Sequence, residues 1–158
     1  MHVRVVVADE ISAIFYDLED PAKGLQPAGQ LSDPRARLHD QELVSDRPGR
    51  VYDHAPRQGG RRGATAHHGT GGEHEAHKHE VEIFARQLAH ELETARRAHR
   101  FDRLVIMAGP KFLGVLRAAL PDSVKATIAA EVPKDLVHHP LQAINEHLPQ
   151  LPPRDRSG

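Results

Sequence analysis

Leu104-Val105-Ile106-Met107-Ala108-Gly109-Pro110 is a continuous apolar run closed by a turn-forming pair, and its reading decides the fold. Five apolar residues without polar alternation describe a strand buried on both faces, the position of a central strand in a sheet covered by helices. On its N-terminal side, Val81, Phe84, Leu88, Leu92 and Ala95 recur at three- and four-residue spacing, with Ala85 and Ala89 on the same stripe. This pattern predicts an amphipathic helix beginning near Glu80. Glu73, Glu75, Glu80 and Glu82 toward its start and Arg96, Arg97 and Arg100 at its end suit the helix dipole. On the other side, Phe112, Leu113, Leu116, Ala119 and Leu120 restart helical spacing until Pro121. Val124, Ala126, Ile128, Ala130 and Val132 then alternate with Lys125, Thr127 and Glu131, which predicts a strand. A last helix is expected from about Pro140 through Leu141, Ile144 and Leu148.

Further upstream, Val3–Val7 and Ala13–Leu18 read as two strands of a hairpin broken at Asp9-Glu10. A third strand over Leu25–Leu31 would sit at a sheet edge because of Pro27 and Gly29. The expected fold is therefore α/β of the α+β mixed-sheet kind: a three-strand meander followed by helix-strand-helix-strand-helix. Between these halves, residues 46–79 hold seven glycines and six histidines with little that is large and apolar, which predicts a long flexible loop. Residues 1–148 form a single expected domain, and 149–158 a disordered tail rich in proline and charge.

Composition narrows the function classes. The 158 residues carry 21 Lys plus Arg and 22 Asp plus Glu, a net charge of -1, so a uniformly basic nucleic-acid coat is excluded. With no cysteine, disulfides, thiolate catalysis and cysteine-ligated metals are excluded, and a reducing cytoplasm fits. The N-terminal apolar run is too short for a signal-peptide core or a membrane span, so the expectation is a soluble cytoplasmic protein.

The segments Leu38-His39-Asp40-Gln41-Glu42-Leu43-Val44-Ser45-Asp46-Arg47-Pro48-Gly49-Arg50, Ala108-Gly109-Pro110-Lys111-Phe112-Leu113-Gly114-Val115-Leu116-Arg117 and Lys134-Asp135-Leu136 carry a resemblance to the bacterial host-attachment protein family. With Val6-Val7-Ala8-Asp9, it extends over residues 3–148. It implies a role in attachment to host cells. That family in turn resembles the middle domain of archaeal and eukaryotic class-1 peptide-release factors, which implies an RNase H-like fold. Where those factors carry Gly-Gly-Gln before the first long helix, this chain reads Arg57-Gln58-Gly59-Gly60-Arg61-Arg62-Gly63. The glutamine's place is taken by Arg61, so peptidyl-tRNA hydrolysis does not transfer, and fold alone does not fix function.

Two groups of residues are candidate binding sites. Arg47, Arg50, Arg57, Arg61 and Arg62, with the flexible backbone of Gly59 and Gly60, face only Asp46 and Asp53 in charge. Arginine forks on such a backbone suit phosphate oxygens, which makes the ribosome or tRNA a candidate partner; a solvated surface loop is the plainer reading. His67, His68, His74 and His77 could ligate zinc or nickel, yet no metal-site spacing is present, and pH-sensitive surface charge explains them as well. No catalytic residue is assigned. The strand Leu104–Ala108 lacks the acid that a two-metal nuclease of this fold class needs, and no nucleophile elbow, Walker loop or dinucleotide fingerprint occurs. The expected protein is non-catalytic and needs no cofactor. Its partner is then the ribosome, tRNA or an unidentified protein.

Overall fold

The computed structural model describes residues 2–34 and 63–151. Five strands form one mixed sheet: β1 (Val3–Ala8), β2 (Ser12–Leu18), β3 (Gln26–Ser32), β4 (Arg103–Ala108) and β5 (Ile128–Val132), in the order β3-β2-β1-β4-β5. β1 pairs antiparallel with β2 and parallel with β4, and β4 pairs parallel with β5. Four helices complete the described chain: α1 (Gly63–Arg97), α2 (Pro110–Ala119), α3 (Asp122–Lys125) and α4 (Leu141–His147). The expected meander and the helix-strand alternation after it are both present.

β1 and β4 run through the middle of the sheet, and their side chains fill two cores. On one face Val6, Ala8, Leu104, Ile106 and Ala108 meet Phe84, Leu88 and Leu92 of α1, Phe112 and Leu116 of α2, and Val124 of α3. On the other, Val3, Val5, Val7, Val105 and Met107 meet Leu25, Leu136, Val137 and Ile144 of α4. Burial on both faces explains the unbroken apolar run in β4, and each fully buried Leu or Phe contributes about 1.5–3 kcal/mol by leaving water. Leu148 and Leu151, partly buried, pack against the second core.

Three local expectations need correction. α1 starts at Gly63, not near Glu80, so residues 63–79 of the expected loop are helical; residues 46–62 lie outside the described ones. Once the apolar stripe from Val81 onward anchors the helix, each added residue extends it without a new nucleation cost, so a polar sequence follows. Its first turn consequently holds no acid, and only Arg96 and Arg97 in the last turn serve the dipole. The alternation from Val124 to Val132 divides into α3 and β5. The Val124 carbonyl accepts from Thr127 N at 2.9 Å and Thr127 Oγ1 at 2.6 Å, which closes a turn before the strand begins.

The edge strand β3 carries an extra residue: Phe15 pairs Gly29 and Tyr16 pairs Pro27, leaving Ala28 unpaired. Gly29 has φ +129, a conformation that glycine adopts freely. α1 ends in a six-residue cap in which Arg100 N donates to Ala95 O at 2.9 Å and His99 N to Arg96 O at 3.0 Å, with His99 at φ 57.

Candidate functional site: a crevice at the ends of the parallel strands

The loops after β1 and β4 leave the sheet in opposite directions. β1 turns back into β2 on one side, while β4 continues through α2 and α3 to β5 on the other. A crevice opens at the carboxyl ends of adjacent strands wherever such a reversal occurs, and it is the place where open sheets hold ligands. Here the reversal lies between β1 and β4. Asp9 and Glu10 follow β1 directly, Gly109, Pro110 and Lys111 follow β4, and Asp135 comes three residues after β5.

These residues line a cavity of about 470 Å³ together with Ile11, Phe112 and His77 of α1. A second cavity of about 290 Å³ adjoins it, sharing Glu10, His77, Lys111 and Phe112 and adding the apolar Val81 and Val115. The floor is apolar and the rim charged, the usual make-up of a binding pocket. Asp135 sits close to the β4–α2 turn: its Cβ would be 3.8 Å from a Cβ placed on Gly109.

The polar groups divide into committed and available ones. Asp9 Oδ1 accepts from Ile11 N at 2.9 Å, Ser12 N at 2.8 Å and Ser12 Oγ at 3.0 Å, so this oxygen builds the hairpin turn. Its other oxygen, Oδ2, is 3.8 Å from His138 Nε2 in the connection after β5. Glu10 Oε2 lies 3.0 Å from His77 Nε2. Lys111, exposed in the first turn of α2, makes no ion pair or hydrogen bond among the described residues. No described residue competes with a ligand for its ammonium.

Of the residues singled out from sequence, the structure brings His77 into this crevice. Arg47, Arg50, Arg57, Gly59, Gly60, Arg61 and Arg62 lie outside the described residues, and so do the side chains of His67, His68 and His74. Among the described residues no three of His, Cys, Asp and Glu gather as a metal ion would need. Glu10, Lys111 and Asp135 went unrecognised as site residues. The position rule for parallel strands, applied to the first residues after β1, β4 and β5, is the signal that would have found them.

Among the described residues, no helix is long and apolar enough to cross a membrane. Residues 4–148 match the model of a protein family described as protein required for attachment to host cells. No curated protein matches the chain.

Proposed function

The chain belongs to the family of proteins required for attachment to host cells, and we propose that it serves that role as a non-catalytic binding module in the cytoplasm, recognising a protein partner through the crevice. The observation that carries this reading is the placement of the crevice at the topological switch point, with an apolar floor of Phe112, Val81 and Ile11 beside the exposed Lys111. The absence of cysteine supports a reducing compartment. In that setting the contribution to attachment is indirect, passing through the partner.

The test is complementation. A strain lacking the gene is scored for adherence to host cells after receiving the wild type or a variant carrying Lys111→Glu and Asp135→Lys. Both side chains are exposed, and Asp135→Lys removes only the long 3.4 Å bond that Val137 N donates to Asp135 Oδ1, so the variant should keep its fold with a small drop in melting temperature, checked before scoring. Adherence restored by the wild type and not by the variant is the expected result. Full restoration by a stably folded variant would remove the crevice from the role.

A second reading rests on the five arginines between residues 46 and 63, which would track the phosphate backbone of ribosomal RNA or tRNA. Co-sedimentation with ribosomes across a salt series decides it. Saturable binding that weakens in the triple variant Arg57→Ala, Arg61→Ala, Arg62→Ala, with a shallower salt slope, supports it; equal binding by both proteins overturns it.

A further inference from the structure

Consecutive residues of the turn that lines the crevice each face a histidine, His77 within the cavity lining and His138 beside it. From α1, His77 Nε2 reaches Glu10 Oε2 at 3.0 Å. From the connection between β5 and α4, His138 Nε2 lies 3.8 Å from Asp9 Oδ2. We propose that the His77–Glu10 pair forms an acid-closed clasp: protonation of His77 draws α1 onto the β1–β2 turn and narrows the crevice, loss of the proton lets it open, and His138 facing Asp9 adds a weaker contact from outside the cavity. This inference rests on the crevice being the binding site and names its regulation.

The physical argument starts from the arm that carries His77. Residues 75–80 of α1 are exposed, and Val81 is the first buried side chain of the helix among those described. The arm therefore lies on the body with little apolar contact to hold it, and its polar contact with the turn bridges residues 67 apart in sequence. Such a segment belongs to the low-stability end of a fold, where a single ion pair changes the population of open states measurably. A neutral imidazole gives Glu10 one dipolar hydrogen bond, whereas an imidazolium gives it a charge-assisted one.

The sign follows from the charges around the pair. Glu10 and Asp9 in the turn and Asp135 beyond β5 attract the imidazolium ions, while Lys111 of α2 opposes them in the same cavity. On its own helix His77 has Lys78 as one neighbour and Glu80 three residues on. Carboxylates outnumber the ammonium groups, so acid strengthens the grip. His138 is 84% exposed and its pair is longer, so it adds less than His77.

Hydrogen exchange on the intact chain reads the clasp without any partner, so its failure is separate from failure of the adherence test. After correction for intrinsic exchange, amides of residues 75–80 and 9–11 in the wild type should be about threefold more protected at pH 5.5 than at pH 8.0, the size expected of an exposed pair gaining charge. His77→Gln keeps a neutral donor but cannot charge, and its protection should not change with pH. Glu10→Gln should behave alike, and His138→Gln should lose a smaller part of the dependence. A wild type whose protection is flat across this range, or a His77→Gln variant that keeps the full dependence, would overturn the clasp.

Discussion

Ser123 Oγ donates to Glu93 Oε2 at 2.8 Å, and this bond ties α3 to the C-terminal half of α1 across the top of the first core. The same carboxylate accepts from Arg96 Nη2 at 2.9 Å and Arg97 Nε at 2.8 Å. Hydrogen bonds from Arg96 first, and from Ser123 next, lower the Glu93 pKa from 4.5 to about 2.

Acid stability should report this cluster. Because the folded-state value lies below the unfolded one, the stabilisation is present in full above about 4.5 and is lost as the pH falls toward 2. Glu93→Gln should lower the melting temperature at neutral pH and flatten its fall between pH 4.5 and pH 2. Thermal melts of both proteins across that range check the sign, and a parallel fall in both would assign the acid sensitivity elsewhere.

The polar group admitted to the buried strand β1 is Arg4, 9% exposed. It donates from Nε to Asp17 Oδ1 at 2.9 Å and from Nη2 to Oδ2 at 3.2 Å, with its guanidinium 6.0 and 5.8 Å from the ring centres of Phe15 and Phe101. Asp17→Ala should cost about 3 kcal/mol, the low end for a buried pair since Asp17 is itself 21% exposed, because it leaves a largely buried cation unpaired. Adding Arg4→Met to that variant should recover much of the loss. Urea titrations of the two single variants and the double variant give the coupling.

His99 closes α1 with a left-handed backbone that a side chain disfavours. His99→Gly should raise stability by about 1 kcal/mol while leaving the cap bonds of Arg100 and His99 backbone amides in place. A melting temperature at or below that of the wild type would contradict the argument.

The two cores should respond to separate truncations. Phe84→Ala removes the ring that packs 6.2 Å from Phe112 between α1 and α2 and should cost about 3–5 kcal/mol. Ile144→Ala empties the middle of the face covered by α4 and should cost about 2–5 kcal/mol. The sheet separates the two sites, so their effects should add in denaturant titrations.

What could be read from the residues alone followed the apolar pattern. Leu104–Ala108 announced a doubly covered strand, and the stripe from Val81 to Ala95 announced the part of α1 that touches the sheet, because burial selects those side chains directly. The N-terminal half of α1 was illegible for the same reason: residues 75–80 bury nothing, so no periodicity marks them. Val124 and Ile128 belong to one alternation in sequence but to a helical turn and a strand in the fold, since a short apolar alternation serves either. The crevice was hidden further, because Glu10, His77, Lys111 and Asp135 come from four separate stretches and meet only through the parallel pairing of β1, β4 and β5. Asp9 and Glu10 were legible as a turn, and the three bonds to Asp9 Oδ1 support that reading.

The parallel ladder from Val3 opposite Arg103 to Ala8 opposite Ala108 joins segments 100 residues apart, and it is the seam along which the chain divides. A cut placed after β3 and before α1 leaves one piece with β1, β2 and β3, and another with β4, β5 and all four described helices. The first piece has no helix over either face of its strands, and the second keeps its helices but loses β1 from the edge of β4, so each presents the other with an apolar edge in register. Co-expressed halves should therefore reassemble into the native sheet, with β1 acting as the template on which the second half closes.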